Sequence, residues 1–241
     1  AGVPVVPGSL NALYDVKEAL EEAKAMGFPV MIKASSGGGG KGMRECYSEG
    51  DFENEFLTAQ RESANAFSDD AMYLEKLILE PRHVEVQIMG DSFGNVIALG
   101  ERDCSIQRNH QKLVEESPSP IVTAESRKAM MEAAINAAKA VSYVGAGTIE
   151  FIVDQEGKFY FMEMNTRIQV EHGVTELVTD KDLVIEQIRV CAGEPLSMKQ
   201  EEVLLRGHAI ECRINAEIPE KNFMPSPGTI TALHLPGGNG V

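Results

Sequence analysis

The chain has 241 residues, 43% hydrophobic and 24% charged, a composition typical of a globular protein with a sizeable core. Its formal net charge of −15 argues against nucleic acid or an anionic membrane as the main partner, because both carry negative charge. No apolar run reaches the roughly 20 residues that cross a bilayer and no secretory leader is visible, so we expect a cytoplasmic protein.

The four cysteines are far apart and form no Cys-x-x-Cys pair, which predicts reduced thiols and argues against a zinc site. They are Cys46, Cys104, Cys191 and Cys212. The chain opens without a methionine and stops in a glycine-rich run, so we expect a fragment truncated at both ends.

The first third of the chain predicts a small α/β unit around a glycine-rich loop. After a turn-rich segment, we predict a helix over 15–26 that ends at Gly27, a strand over 29–33, a strand over 44–48, a helix over 51–64 and a strand over 72–79. Four consecutive glycines, 37–40, lie between the first two strands.

The rest of the chain predicts a larger body of strands and helices. We predict strands over 83–89 and 95–99, a helix over 123–142, a β-hairpin with strands 148–153 and 158–164, a helix over 181–191 and a strand over 206–216. A boundary near residues 79–82 gives three parts: an N-terminal segment 1–10, a small glycine-loop domain 11–79 and a large domain 80–241.

The glycine-rich loop fits a strand-loop-strand phosphate site better than either common nucleotide motif. Its match to G-x-G-x-x-G is weak because no helix begins at Gly42, and it is no P-loop because Gly42 follows Lys41. Glycines let backbone N–H groups approach phosphate, and Lys33 at the preceding strand end could neutralise it. The alternative is a flexible surface loop with a solvated lysine.

The predicted hairpin carries the acidic side chains that suggest a metal site. Because side chains alternate along a strand, Phe159, Phe161, Glu163 and Asn165 are expected on one face of the second strand. If that face coincides with the face of Glu150, the acids and the amide converge, and Mg²⁺ would supply the counter-charge. The alternative is a hairpin with a solvated acidic face.

Three stretches, 33–43, 101–112 and 163–172, resemble the biotin carboxylase family of ATP-grasp ligases. The resemblance extends from about Val5 to the C-terminus. The motifs are most similar to the biotin carboxylase component of bacterial acetyl-CoA carboxylase, an enzyme of fatty acid biosynthesis, and subunits of propionyl-CoA, methylcrotonyl-CoA and pyruvate carboxylases remain possible. The resemblance implies an α+β ATP-grasp fold with a small glycine-loop lid domain and a larger antiparallel-sheet domain.

The resemblance also implies a reaction and its participants. The expected activity is carboxylation of biotin on a carrier protein through carboxyphosphate, with ATP, bicarbonate and Mg²⁺ or Mn²⁺. The expected partners are biotin carboxyl carrier protein, carboxyltransferase subunits and a second copy in a homodimer.

Residue roles follow from the resemblance by position in the matching motifs. The nucleotide would be bound by Lys33, Gly38, Gly39, Gly40, Lys41, Gly42, Met43, Glu75, Lys76, Ile78, His83, Gln107, His110 and Ile152. The metal ion would be held by Glu150, Glu163 and Asn165. Bicarbonate would be gathered by Lys112, Arg167, Gln169 and Val170, Glu171 would be the base that deprotonates it, and Arg213 would stabilise the biotin enolate.

Plainer interpretations of several of these residues stay open. His83 and His110 could be structural histidines, Lys112 an exposed loop charge, and Arg213 a salt-bridge partner of Glu211. Phe159 and Phe161 suit a core better than a nucleotide. The chain also departs from the family pattern, because Gly173 stands where relatives usually have proline, and we expect the family's N-terminal α/β domain to be missing from this fragment. An ATP-binding fragment without catalysis and a different ATP-grasp carboxylate ligase are therefore alternative functions.

Overall fold

The computed structural model describes residues 1–36, 42–109 and 111–241, in which two β-sheets each have an apolar core. The smaller sheet has the strand order β2-β1-β3 and is antiparallel. Its elements are α1 (Val16–Met26), β1 (Val30–Ala34), β2 (Met43–Cys46), α2 (Glu49–Phe67) and β3 (Met72–Lys76).

The first helix shows how local sequence sets the boundaries of this unit. The Asp15 carboxylate accepts hydrogen bonds from the backbone N–H groups of Lys17 and Glu18, which have no partner within the helix. Gly27 ends α1 with a φ of 78°, a conformation that costs glycine little. The predicted start and stop of α1 are therefore confirmed.

The larger sheet is antiparallel, with the order β8-β7-β4-β5-β6-β9. Its strands are β4 (Arg82–Gly90), β5 (Val96–Arg108), β6 (Gln111–Ser117), β7 (Gly145–Val153), β8 (Phe159–Asn165) and β9 (Ala209–Cys212). The associated helices are α3 (Ala124–Ala140), α4 (His172–Thr179) and α5 (Leu183–Cys191), and a short hairpin, β10 (Glu217–Ile218) with β11 (Met224–Pro225), follows.

The two faces of the larger sheet have different chemistry. Along β4, Val84, Val86 and Ile88 belong to the apolar core that also contains residues of α3. The alternate residues His83 and Glu85 lie on the opposite face and contact charged side chains there. This alternation places a polar cluster on one side of a strand whose other side is core.

A β-bulge in β8 decides where its acidic residue lies. Phe161 pairs with Phe151, Glu163 pairs with Glu150, and the register shifts between these pairs. Phe161 therefore packs against the apolar core, whereas Met162 and Glu163 both line a cavity on the other face. The prediction that Phe159, Phe161, Glu163 and Asn165 share a face is wrong because strict alternation ignores the extra residue.

The N-terminal segment contacts the edges of both sheets. Val5 forms a parallel bridge with Phe161, and the Phe161 N–H donates to the Pro4 carbonyl at 2.7 Å. Gly8 bridges Glu75 of β3. The segment thus connects the small sheet to the large one before α1 begins.

Several predicted boundaries need correction. The strand predicted over 95–99 continues to Arg108 and turns into β6, because its polar residues are satisfied by neighbouring side chains. The strand predicted over 206–216 is limited to Ala209–Cys212, and the helix His172–Thr179 was not predicted. The separation into domains at residues 79–82 stays a prediction.

Among the described residues, no helix is long and apolar enough to cross a membrane.

Two glycine substitutions should change stability in opposite directions. Gly173 lies in α4, and an added Cβ would meet only Glu211 Oε2 at 3.5 Å, so Gly173→Ala should raise the free energy of unfolding by about 0.5–1 kcal/mol. Gly42 has a φ of 73°, and a Cβ added there would lie 2.7 Å from the Ala34 Cβ, so Gly42→Ala should lower the free energy of unfolding. Urea denaturation measures both changes, and a loss of stability in Gly173→Ala would contradict the helical assignment.

Candidate active site

A polar cavity of about 580 Å³ opens on the face of the large sheet opposite α3. Its walls come from β4 to β8 and from the segment before α4. The lining residues are His83, Gln107, Asn109, Gln111, Lys112, Glu150, Met162, Glu163, Asn165, Arg167, Gln169, Val170, Glu171 and Arg213.

The centre of the cavity is a buried carboxylate held between two cations. Glu171 precedes α4 and is 2% exposed. Its Oε1 lies 2.8 Å from the Lys112 ammonium and its Oε2 lies 2.8 Å from the Arg213 guanidinium. Burial alone would raise the pKa of Glu171, but hydrogen bonding and the charge of Lys112 lower it below its usual value. Glu171 is therefore ionised at neutral pH.

Glu171 is flanked by one ammonium group and one guanidinium group. Lys112 provides one of the two cations, and its side chain is only 13% exposed, so it is not an exposed loop charge. Arg167 donates instead to the Ile168 carbonyl and to Asn165, at 3.3 and 3.4 Å. Arg167 thus lies at the rim with its charge available to an incoming anion.

Glu150 is the second buried carboxylate of the cavity. Its Oε1 accepts from Lys112 at 2.9 Å, from Asn165 at 2.8 Å and from Gln169 at 3.0 Å, while Oε2 lies 3.0 Å from His83 Nε2. Burial opposes ionisation, but His83 and Lys112 lower the pKa of Glu150 to about 2. The predicted convergence is present, because Glu163 and Asn165 line the same cavity as Glu150.

The residues present fit a hard divalent cation. Glu150 and Glu163 are directly opposed on β7 and β8, and Asn165 contacts both at 2.8 and 3.5 Å. Carboxylate and amide oxygens are the ligands that Mg²⁺ and Mn²⁺ accept. His83, Glu85 and Glu150 also lie close enough to share an ion, but both oxygens of Glu85 already accept from Arg102 and Lys112. Glu163 is exposed and, among the described residues, its carboxylate has the single 3.5 Å contact with Asn165, so the open coordination positions lie on the Glu163 side of the cluster.

Arg213 contacts a third carboxylate that sequence reasoning missed. Its Nε lies 2.7 Å from Glu115 Oε1, yet the N–H is not directed along a hydrogen bond, and both Glu115 oxygens lack a hydrogen-bond partner among the described residues. Burial raises the pKa of Glu115 despite the nearby guanidinium. The alternative pairing of Arg213 with Glu211 is wrong, since its ion pairs in the described ranges are with Glu115 and Glu171.

A second group of candidate residues lies on the small sheet. The Lys33 ammonium is 2.5 Å from Glu75 Oε2, and Lys76 donates to the Gly27 carbonyl at 2.7 Å. Met43 is exposed at the start of β2, and Ile78 is half-buried after β3. A phosphate approaching Lys33 would have to share its charge with Glu75.

The structure divides the candidates into three sets. The cavity brings together His83, Gln107, Lys112, Glu150, Glu163, Asn165, Arg167, Gln169, Val170, Glu171 and Arg213. It does not include Lys33, Gly42, Met43, Glu75, Lys76, Ile78 or Ile152, the last of which pairs with His83 and Tyr160 in the sheet. Gly38, Gly39, Gly40, Lys41 and His110 lie outside the described residues.

Sequence reasoning also missed the buried residues behind the cavity. Glu85 and Arg102 are both fully buried and form an ion pair with Nε–Oε1 at 2.7 Å. A signal was present, because His83, Glu85 and Gln87 alternate with valines and so place three polar groups on one strand face. Nothing comparable in β5 points to Arg102, whose partners come from distant segments.

Comparison with known proteins places the chain in a family. The sequence profile described as "Carbamoyl-phosphate synthase L chain, ATP binding domain" matches residues 1–199. The chain belongs to this family. The biotin carboxylase of Nostoc sp. is 58% identical over 241 residues, which are 100% of this chain and 54% of that protein.

Solved structures of relatives agree with this assignment and with the ATP-grasp fold expected from the sequence. A Campylobacter jejuni biotin carboxylase, described as a β-γ-ATP complex, is 53% identical with a TM-score of 0.86 over 99% of this chain and 53% of that chain. The biotin carboxylase domain dimer of Hydrogenobacter thermophilus 2-oxoglutarate carboxylase, solved with MgADP, ADP and bicarbonate, is 53% identical with a TM-score of 0.85. The match covers 98% of this chain and 52% of the Hydrogenobacter chain. This chain therefore spans about half the length of these relatives.

The low pKa of Glu150 predicts a specific acid dependence of stability. Its pKa is about 2 in the folded chain against 4.5 in the reference state, so the ionised group stabilises the fold fully above about pH 4.5 and loses this effect as the pH falls toward 2. The shift corresponds to about 3 kcal/mol. Glu150→Gln should therefore reduce the free energy of unfolding most above pH 5, and its difference from the unsubstituted chain should become smaller as the pH falls from 4.5 toward 2.

Chemical denaturation between pH 3 and 7 without divalent cations measures this dependence. Glu156→Gln is the matched control, because Glu156 lies in an exposed turn and its carboxylate pairs, within the described ranges, only with exposed Lys158. The control should follow the unsubstituted profile. A destabilisation by Glu150→Gln that is the same at every pH would contradict the assigned charge state.

Proposed function

We propose that this chain is the nucleotide- and bicarbonate-binding core of a biotin carboxylase, which carboxylates biotin on a carrier protein with ATP and bicarbonate. The observation that carries the proposal is the ionised Glu171 beside Lys112 and Arg213, in the cavity that Arg167 also lines. The relatives support the same reaction, since they are named biotin carboxylases and one was solved with bicarbonate.

Bicarbonate is bound at the rim of the cavity in this proposal. Arg167 is exposed and makes long contacts, so it can form a paired hydrogen bond with a planar oxyanion. Gln169 and the backbone at Val170 add polar contacts beside it, and the Lys112 ammonium, which also lines the cavity, contributes positive charge. These four groups place the anion next to the Glu171 carboxylate.

Glu171 then acts as the base. It removes the proton of bicarbonate, and the resulting oxyanion attacks the γ-phosphorus of ATP, so that ADP leaves and carboxyphosphate forms. Lys112 and Arg213 keep Glu171 ionised and fixed, which costs no reorganisation during the reaction. Arg213, which also lines the cavity, is assigned to stabilise the enolate of biotin that receives the carboxyl group.

The metal ion is assigned to Glu150, Glu163 and Asn165. When bound, Mg²⁺ or Mn²⁺ supplies positive charge to the β- and γ-phosphates of ATP. The pKa of Glu150, lowered to about 2, keeps the group ionised at neutral pH, so it can act as a ligand without losing a proton. Glu163 lines the cavity, and among the residues that the structure describes its carboxylate has only the 3.5 Å contact with Asn165.

The nucleotide is assigned to the space between the two sheets. Lys33 and the glycine loop, Gly38 to Gly42 with Met43, would contact the phosphates, and Glu75, Lys76 and Ile78 would contact the adenine. His83, Gln107, His110 and Ile152 would complete the site. The domain division at residues 79–82 belongs to the same proposal, supported by a separate apolar core in each sheet, so that the small domain 11–79 can close as a lid.

Partners and location follow from the reaction. The substrate is biotin on biotin carboxyl carrier protein, the product is used by carboxyltransferase subunits, and the subunit pairs with a second copy. A cytoplasmic location is supported by four free cysteines, which suit a reducing compartment. A relative from Arabidopsis thaliana is named as chloroplastic, so a plastid is the alternative that targeting experiments would detect.

A catalytically silent nucleotide-binding module is the second candidate, because the chain spans about half the length of its relatives. Calorimetry with MgADP and a turnover assay with ATP, bicarbonate and biotin distinguish the two functions. Binding with turnover supports the carboxylase, whereas binding without turnover by the complete protein supports the module.

Glu171→Gln should abolish the proposed base without changing the volume of the side chain. We expect bicarbonate-dependent ATP cleavage by the complete protein to fall at least about 100-fold, while ADP affinity changes less than about twofold. Glu116→Gln is the control, since Glu116 lies on β6, pairs with His208 and does not line the cavity. Retained turnover in Glu171→Gln would remove Glu171 from the mechanism.

Glu163→Gln should remove a metal ligand with little effect on folding. Because Glu163 is exposed, the free energy of unfolding should change by less than about 0.5 kcal/mol. Affinity for ADP in the presence of Mn²⁺ should fall at least about tenfold, with no change in its absence. Calorimetry with and without Mn²⁺ gives the two ADP affinities. Equal affinities of Glu163→Gln and the unsubstituted chain in the presence of Mn²⁺ would show that the hairpin is only a solvated acidic face.

A further inference from the structure

Arg102 lies in the middle of β5 and is the largest fully buried side chain among the described residues. All five of its N–H donors point to acceptors, which is the full capacity of a guanidinium. The acceptors are Glu85 Oε1 at 2.7 Å, Gln87 Oε1 at 2.7 Å, Thr175 Oγ1 at 2.9 Å, Gln169 Oε1 at 3.1 Å and Thr148 Oγ1 at 3.2 Å.

Two of these contacts lead directly to the candidate active site. The second oxygen of Glu85 accepts from Lys112 at 2.5 Å, so Arg102 fixes the carboxylate that anchors this ammonium. The Gln169 amide accepts from Arg102 through its oxygen and donates through its nitrogen to Glu150 at 3.0 Å. Arg102 itself does not line the cavity and can act only through these neighbours.

The contacts also bind together segments that are far apart in sequence. Glu85 and Gln87 belong to β4, Thr148 to β7 and Thr175 to α4, the helix that begins directly after Glu171. The guanidinium therefore sets the position of the 167–171 segment relative to the strands. We propose that Arg102 is the positioning residue of the candidate active site, holding Gln169 and, through Glu85, Lys112 in the geometry that receives bicarbonate.

A purely structural role for Arg102 would require fewer contacts than the five that are observed. Neutralising Glu85 needs one cation, and a buried ion pair can often be replaced by apolar residues without loss of stability. The observed arrangement instead directs one further donor at Gln87 on β4 and the other three at polar groups on three other segments. Lysine cannot reproduce this arrangement, because its ammonium has three donors and no planar fork. Arg102→Lys therefore separates charge from positioning.

The test compares Arg102→Lys with Arg127→Lys. Arg127 lies on α3 and also binds a buried carboxylate, Glu101, through two hydrogen bonds of 2.7 Å, but on the other side of the sheet. We expect Arg102→Lys to raise the KM for bicarbonate at least about tenfold and the KM for ATP by less than about twofold. Arg127→Lys should change neither value. An unchanged bicarbonate KM in Arg102→Lys, or a parallel loss for both substrates, overturns the proposal.

A milder variant keeps the test available if Arg102→Lys does not fold. Thr148→Val removes one acceptor of Arg102 and retains every charge, and we expect it to raise the bicarbonate KM about two- to fivefold. Thr179→Val is its control, because Thr179 is also buried but donates to the Thr175 carbonyl within α4. Equal KM values in these two variants overturn the proposal.

This effect on bicarbonate rests on the proposed function, so a crystal structure provides a readout that does not. In Arg102→Lys or Thr148→Val, the Gln169 amide should leave Glu150, and in Arg102→Lys the Lys112 ammonium should also shift. Loss of bicarbonate-dependent ATP cleavage in the unsubstituted complete protein would reject the proposed function, while the displaced side chains would still support the positioning role. Side chains at unchanged positions in both variants would reject that role by themselves.

Discussion

The candidate active site depends on one ammonium group that three buried carboxylates share. Lys112 Nζ lies 2.5 Å from Glu85, 2.9 Å from Glu150 and 2.8 Å from Glu171. Burial alone would lower the pKa of Lys112, but the surrounding carboxylates raise it, so the group stays charged. Without this cation the three carboxylates would repel one another, and Glu150 and Glu171 would lose a charge partner that lowers the pKa of each.

The strand order of the large sheet is what brings these groups together. Glu85 and Glu150 are direct partners on β4 and β7, while Lys112 lies on β6, beyond β5. The opposite face of the same strands is filled by Val84, Val86 and the core beneath α3. A polar cluster on one face is thus supported by close packing on the other, which restricts the movement of the backbone that carries it.

Local sequence patterns predicted most elements, because capping residues and apolar periodicity act over a few residues. Asp15, Gly27 and Thr123 mark helix ends in the sequence and do so in the structure. The bulge at Met162 could not be predicted, since it depends on the register with β7, and it reverses the face on which Glu163 lies. Contacts between distant segments were also hidden: the partnership of Lys33 with Glu75 and that of Arg102 with Gln169 appear only when the sheets form. The family resemblance gave the candidate site residues, whereas the buried residues that contact them, such as Glu85 and Arg102, could be identified only from the fold.

The charge balance around the cavity indicates which group bicarbonate meets first and why the divalent cation is needed for phosphate. Glu85, Glu115, Glu150 and Glu171 are buried, and the cations that contact them are Arg102, Lys112 and Arg213. Three cations against four carboxylates leave no surplus positive charge for a substrate anion. Arg167 is the cation at the rim whose charge is not already used by a carboxylate in the described ranges, so it is the first group that bicarbonate would meet. A divalent cation at Glu150 and Glu163 would then reverse the local balance, which links phosphate binding to the metal site through simple electrostatics.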